Sequence, residues 1–513
     1  MTGLVLAIDQ GTSGTTAMVL GPDGKVMGRG YREIAQSYPR PGWVEQDPEE
    51  IYQSAIVATR SAIKRGRIGG RDIAAVGITN QRETFVVWER ASGRPVFPAI
   101  VWQCRRSAEI CRHLASREPE ITRRTGLVVD PYFSGTKLKW LLDANPKLRR
   151  AAGRGELCFG TVDSWLVFRL SRGAAFVTDF TNASRTMLFD LKRKAWDAGM
   201  LKLLGVPHEM LPTAIESRGE PGGASHESIA EAAAGTLTPR AIPICALIGD
   251  QQSAMYGQGC VRAGDAKATY GTGAFLLIHT GERLVRSRQR LITTLTLDPE
   301  GRPAYALEGS VFIAGAAVQW LRDELGLIRK ASDTLRFAEQ SAGPSQPYLV
   351  PAFVGLGAPY WDSEARGAIV GITRGTTRAD IIRAALDAIA YQVVDVMRAM
   401  ERDIGTGIGE LRVDGGAAAN NYLMQFQADV LDRRIRRPSN TEATAMGAAM
   451  LAGVSAGLWK SKDLEKMREV DRVIAPAMDS ALRMELLDGW HRAVGRVLTV
   501  DRGARKRAAR TNG

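Results

Sequence analysis

The sequence predicts an α/β protein of two domains that face one cleft, and three observations carry that expectation. The chain has 513 residues and 45% apolar content, more than one hydrophobic core usually holds. Segments rich in Val, Ile and Phe alternate with helical patterns, as layered α/β folds require. Two segments of the same kind, strand then Gly/Thr turn then strand, occur far apart at residues 5–20 and 266–278.

The first segment is an apolar strand ending at Asp9, a turn over residues 11–16 built of Gly, Thr and Ser, and a second strand. Such a turn can point several backbone N–H groups and hydroxyls at one place and form a nest for phosphate. Asp9 at the strand end can hold a hydrated Mg²⁺. The competing reading is an ordinary glycine-rich hairpin with a solvated Asp. Further along, residues 73–79 and 84–88 read as strands, 107–116 as a helix, 242–248 as a strand and 251–256 as a helix. Gly, Pro, Ser and Ala cluster between residues 212 and 243, so a domain boundary is expected near residue 254. The division is then 1–254, 255–500 and a short tail, 501–513.

The segment at 266–278 echoes the opening, so each half would offer a turn to the same phosphate chain. Residues 411–421 form a strand running into a small-residue turn, followed by a helix over 422–431. Small side chains there let a flat nucleoside approach the backbone, or serve tight strand–helix packing. Residues 444–453 form a small-residue helix suited to close packing against a neighbour.

The net charge of +13 includes five basic residues in the last dozen, Arg502, Arg505, Lys506, Arg507 and Arg510. That tail reads as disordered. Elsewhere basic and acidic residues interleave without a nucleic-acid module, so no nucleic-acid partner is expected. The basic balance does suit polyphosphate substrates. No apolar run reaches the ~18 residues that span a bilayer, and Asp9 interrupts the stretch that a signal peptide would keep apolar. A cytoplasmic protein without membrane insertion is expected. The five cysteines, Cys104, Cys111, Cys158, Cys245 and Cys260, are scattered and include no paired spacing, so they read as buried thiols rather than a disulfide or zinc framework.

The acid-plus-Gly/Thr turns in two halves, with the late Asp414-Gly415-Gly416, resemble the actin, sugar-kinase and heat-shock ATPase superfamily. The run from Tyr132 to Trp140 resembles a signature of the FGGY carbohydrate kinases. The runs 77–84, 102–106, 249–252 and 355–361 together resemble the glycerol-phosphorylating branch of that family. The resemblance extends over about residues 4–460. It implies two duplicated ribonuclease H-like domains around a central cleft. It also implies ATP-dependent phosphorylation of glycerol to sn-glycerol 3-phosphate, Mg²⁺, and a homodimer or homotetramer. The rival acceptor is a larger polyol or ketose such as xylulose or erythritol, and a more distant rival function is a nucleotide-dependent scaffold.

Phosphorylating a small polyol needs a base at the attacking hydroxyl, polar groups on each oxygen and dense donors around the phosphoryl group. Asp250, ending an apolar strand at the junction, is the candidate base. The alternative is that it caps the following helix. Arg82 and Glu83 sit in a polar loop that could carry only a surface ion pair. The resemblance instead implies that both bind glycerol, with Tyr132 and Gln251 adding polar contacts and Trp102 and Phe275 covering its carbon edge. Such a site rejects analogues lacking a hydroxyl, since unpaired buried polar groups cost about 1–3 kcal/mol each. By the same resemblance Thr12 and Ser13 contact the γ-phosphate, Thr272 the β-phosphate, and Gly315, Gln319, Gly416 and Asn420 the rest of ATP, with Gly14 also in the nucleotide site, while Asp9 anchors Mg²⁺ through water. Domain closure would exclude water. The five histidines, His113, His208, His226, His279 and His491, lie outside these motifs and receive no role.

The chain departs from the family pattern in three places. Thr16 stands where a basic residue is common. Residues 235–241 contain Arg240 in a different register from the loop that binds fructose 1,6-bisphosphate in many bacterial relatives. Residues 476–490 differ from the segment that binds a phosphotransferase-system regulator, so that partner is not expected.

Overall fold

The computed structural model describes residues 3–69, 72–219, 242–341, 343, 347–362, 364–439 and 442–499. The basic tail, most of the Gly/Pro-rich segment with residues 235–241, and His226 lie outside the described residues.

Two sheets share one topology. In the first, strands Leu4–Gln10, Gly14–Leu20 and Val26–Glu33 form an antiparallel meander, and Ile73–Asn80 and Ile244–Gly249 add in parallel on the other side of Leu4–Gln10. Counted within the half, the order is 3-2-1-4-5. The second sheet repeats it. Ala266–Tyr270 and Ala274–Gly281 form the hairpin, Pro303–Val311 follows antiparallel, and Glu410–Asp414 and Arg434–Pro438 add in parallel. Ile292–Leu297 and Val470–Ile474 extend its two edges. This duplication is the ribonuclease H-like pair of domains that the motifs imply.

The first strand shows why the sequence folds this way. Successive side chains of a strand point to opposite faces, and both faces here are covered, so the strand is apolar from Leu4 to Ile8. Leu4, Leu6 and Ile8 pack with Ile51, Ala55 and Ala58 of the helix Pro48–Gly66. Val5 and Ala7 face the other way, onto Ala445, Ala448 and Ala452 of the helix Ala443–Ser455. The helix Pro48–Gly66 starts where Asp47 accepts the Glu49 N–H with Pro48 in the first turn, and stops at Arg67 in the left-handed region, a common way to cap and end a helix.

The helix Ala443–Ser455 belongs to the second half of the chain yet lies on the first sheet and against the helix Asp250–Gln258. Small residues make that approach possible. A Cβ added at Gly447 would stand 1.9 Å from the Ser253 carbonyl oxygen, and one at Gly257 2.3 Å from that of Ala443. Gly447→Ala is therefore expected to lower the unfolding free energy by about 1–3 kcal/mol through overpacking. Urea denaturation measures this, and an unchanged midpoint would refute the packing argument.

A four-stranded sheet, ordered Glu45–Gln46, Ala99–Ile100, Phe85–Glu89, Leu157–Thr161, and the helix Ser134–Ala144 build an extra layer beside the first sheet. The second half is organised on the helix Arg378–Ile404, opened by a reciprocal Thr377/Asp380 capping box and closed by Gly405 in the left-handed region. Among the described residues no helix is long and apolar enough to cross a membrane. The five cysteines are free, four of them buried, and burial pushes the Cys111 and Cys260 thiols up to about 12, which keeps them unreactive.

Candidate active site

The two hairpin turns are closed alike, the Gly11 N–H reaching the Gly14 carbonyl at 2.9 Å and the Gly271 N–H the Gly273 carbonyl at 2.8 Å. Between their tips lies a cavity of about 450 Å³. Thr12 and Ser13 line one side, Gly271, Thr272 and Gly273 the other. Asp250, Gln251, Arg82 and Glu83 line its polar floor, and Trp102, Tyr132 and Phe275 its aromatic wall. Ten of the residues singled out in the sequence, spread from Thr12 to Phe275, thus meet at one place.

The aromatic wall is rigid. Trp102 meets Tyr132 edge to face with centroids 5.6 Å apart, and Phe275 at 6.1 Å. The Trp102 indole N–H donates to the Thr12 hydroxyl at 2.9 Å, which ties this wall to the first Gly/Thr turn. The Thr12 carbonyl accepts from the Gln46 amide at 2.7 Å, and Gln81 donates to Gln46 and Gln10. Behind Tyr132, the buried Lys137 ammonium donates to the carbonyls of Pro131 and Tyr132 at 3.0 and 2.6 Å. Burial lowers the Lys137 pKa to about 8.

Asp250 is the first residue of the helix Asp250–Gln258, whose N-cap is Gly249. Its carboxylate accepts the Gln251 N–H at 2.7 Å and stands 3.1 Å from Arg82 Nε, so it does not serve as the side-chain cap. Strand Ile244–Gly249 delivers it to the cleft between the two hairpins.

Arg82 and Glu83 are buried and do not pair with each other. The Arg82 guanidinium grips Glu308 through two N–H groups at 2.6 and 2.9 Å, while Glu83 accepts from Arg185 Nε at 2.5 Å. Arg185 also donates to Glu308 at 2.9 Å. Burial works against the charge on Arg82, but the carboxylates of Glu308 and Glu83 outweigh it and hold its pKa well above the usual value. Burial likewise raises the Glu83 pKa against the pull of Arg185 and Arg82. For Glu308 burial is overcome by Arg185 and Arg82, which bring it from the ordinary 4.5 down to about 2. A folded value below the unfolded one stabilises above the unfolded pKa, and that stability is lost as pH falls through the folded pKa. Wild type is therefore expected to lose more stability than Glu308→Gln between about pH 5 and about pH 3. Parallel urea-midpoint curves for the two proteins would refute this.

Arg185, Glu308 and Lys267 were not anticipated from the motifs. The signal was present: Glu308 and Lys267 are lone charges on strands that otherwise read as apolar, and buried charges must be paired. Lys267 donates to the Gln251 side-chain oxygen and to the Thr269 hydroxyl. Burial lowers its pKa against the attraction of Asp414 and Asp250.

The remaining candidates lie outside the cavity lining. Gly14 faces the neighbouring strand, where a Cβ would stand 2.5 Å from the Tyr31 hydroxyl. Thr16 is buried in strand pairing opposite Asp9. Gly315 supports the second turn, its N–H donating to the Gly271 carbonyl at 2.9 Å. Gln319 is exposed on the helix Gly315–Asp323. Asn420 caps the helix Asn421–Leu431 through Leu423 N–H and donates to Thr334 at 3.0 Å. The tight-packing reading of the small-residue turn holds at its first glycine. Gly415, at φ 86°, packs tightly, with a Cβ 2.5 Å from the Tyr270 carbonyl, whereas a Cβ on Gly416 would meet nothing within 4 Å.

Asp9 suits a hydrated divalent cation. Burial and then the negative charges of Asp250 and Glu442 raise its pKa, and among the described residues no donor meets its carboxylate. The described residues hold no cluster of three or more His, Cys, Asp or Glu able to bind a metal. Mg²⁺ needs no such cage, since it is usually held by one or two carboxylates, water and substrate phosphates.

Comparison with known proteins agrees with this geometry. Residues 4–257 match the model of the FGGY family of carbohydrate kinases, N-terminal domain, and residues 266–456 that of its C-terminal domain. A glycerol kinase of Shewanella sp. (strain W3-18-1) is 51% identical over 498 residues, 96% of this chain and 99% of the relative. One of Alkaliphilus oremlandii is 50% identical over 497 residues, 96% and 97% of the two chains. The crystal structure of Plasmodium falciparum glycerol kinase with ADP superposes with a TM-score of 0.87 at 35% identity, over 98% of this chain and 99% of that one. A xylulose kinase from Lactobacillus acidophilus shares the fold at a TM-score of 0.84 and 20% identity, over 96% and 97%. Two family models that together span most of the chain, with the paired Gly/Thr turns on duplicated sheets, make this chain a member of the FGGY family of carbohydrate kinases.

Proposed function

We propose that the protein transfers the terminal phosphoryl group of ATP to a hydroxyl of glycerol, with Asp250 as general base. The observation that carries this reading is the single cavity in which Asp250, Arg82 and Glu83 face both Gly/Thr turns. An acceptor oxygen and a phosphate chain could be held there side by side. Curated relatives about half identical along nearly the whole chain are named glycerol kinases, which favours glycerol over a larger acceptor.

In this reading Arg82, Glu83, Tyr132 and Gln251 orient the hydroxyls while Trp102 and Phe275 enclose the carbon chain. Asp250 accepts the hydroxyl proton as the new oxygen–phosphorus bond forms and the bond to the ADP leaving group breaks. Thr12 and Ser13 approach the terminal phosphate and Thr272 the next, while Gly14 closes the first turn through its carbonyl. Gly315, Gln319, Gly416 and Asn420 shape the nucleotide side, Asn420 through the turn it rigidifies. Mg²⁺ near Asp9 would neutralise phosphate charge when bound. We place the division between the two domains near residue 254, the site of action in the cytoplasm, and the working form as a homo-oligomer.

The test is ADP release with Mg-ATP in the presence of glycerol, xylulose, ribulose, erythritol or no acceptor. Strong stimulation by glycerol alone is expected. Preference for a larger acceptor would overturn the substrate, and ATP binding without stimulation by any acceptor would overturn the reaction.

A further inference from the structure

We infer that Glu308 is a positioning residue for the acceptor site, holding Arg82 directly and Glu83 through Arg185 in the orientations that face the cavity. Glu308 does not line the cavity itself. It is fully buried on the strand Pro303–Val311 in the second half of the chain. Both of its oxygens are engaged by groups of the first half: one accepts from Arg82 at 2.6 Å, the other from Arg82 and Arg185 at 2.9 Å each. The fork fixes the plane of the Arg82 guanidinium, and this leaves Nε directed at Asp250, 3.1 Å away. The second guanidinium carries the same constraint onward to Glu83, at φ 62° in the left-handed region, where strain persists only if neighbours enforce it.

The same strand pair ties this network to the phosphate side. Pro303–Val311 pairs antiparallel with Ala274–Gly281, setting Glu308 opposite Leu277 and Ser310 opposite Phe275. The strand that carries Glu308 is thus the neighbour of the hairpin that presents Gly271–Gly273. Without Glu308, Arg82 would keep only Asp250 and Arg185 only Glu83, and no carboxylate would join the two guanidiniums. A glutamine could not replace it, since its amide nitrogen donates and would oppose one of the guanidinium N–H groups.

The inference rests on the proposed acceptor site, and its test separates the two. KM for acceptor and KM for ATP are measured on wild type, Glu308→Gln, Glu308→Asp and Arg185→Lys, using whichever acceptor stimulates wild type. Glu308→Gln is expected to raise the acceptor KM at least about tenfold while the ATP KM stays within about twofold, with Glu308→Asp between it and wild type. A purely structural ion cluster would move both constants together or neither, and either outcome overturns the inference. If Glu308→Gln does not fold, the same split in Glu308→Asp and Arg185→Lys decides. Wild type that no acceptor stimulates would overturn the proposed function and this inference with it, whereas active wild type with unsplit variants overturns this inference alone.

Discussion

Asp250→Asn is expected to lower kcat by about 10²–10⁴-fold, the usual contribution of a positioned general base. Asparagine has nearly the shape of aspartate and retains an oxygen to accept the Gln251 N–H at 2.7 Å. What it loses is the capacity to take a proton from the acceptor hydroxyl as phosphorus is attacked. The side chain stands at the end of a buried strand and the start of a helix, so the backbone should be undisturbed. Acceptor KM is expected to change far less than kcat, since an interaction made only in the transition state affects kcat and kcat/KM alike. One side effect has to be separated. Arg82 Nε loses its charged neighbour at 3.1 Å, which would appear as a change in acceptor binding. Full turnover by Asp250→Asn would remove Asp250 from the base role.

Arg82→Ala is expected to have the largest effect on stability as well as on acceptor binding. Removing one partner of a buried ion pair costs about 3–5 kcal/mol, because the other charge stays buried without full compensation. Here Glu308 would retain only Arg185, and Asp250 would lose its guanidinium neighbour. Arg82→Lys keeps the charge but not the two-pronged grip, so it should fall between alanine and wild type. Urea denaturation reports the stability and steady-state kinetics the acceptor KM. A midpoint and KM both unchanged in Arg82→Ala would refute the buried network and the acceptor contact together.

Much of the architecture was legible because it follows from local rules. The hairpin over residues 5–20 is a pair of apolar runs around a Gly/Thr turn, and it forms as Leu4–Gln10 and Gly14–Leu20. The small-residue run at 444–453 becomes the helix Ala443–Ser455, with Gly447 at its closest approach. The alternative reading of Arg82 and Glu83 as a surface pair does not hold, because both side chains are buried and each has a partner elsewhere. Asn420, which the resemblance places at the nucleotide, also caps the helix Asn421–Leu431 with its side chain, a role its residue type favours.

The sequence alone determined the two-half α/β plan, the strands and turns of both hairpins and the residue types gathered at the cleft. The hairpins follow from local spacing, where side-chain period and turn chemistry act, the two-half plan from their recurrence at residues 5–20 and 266–278, and the cleft residues from the family resemblance. Only the tertiary structure decided which charges meet. Arg82 and Glu308 are 226 positions apart, and Arg185 and Glu308 123, and no local pattern specifies such a pairing. A carboxylate inside an apolar strand announces that a partner must exist, since burial without one is too costly. Which guanidinium answers it is settled by how two sheets, each folded on its own apolar faces, come together around the cleft.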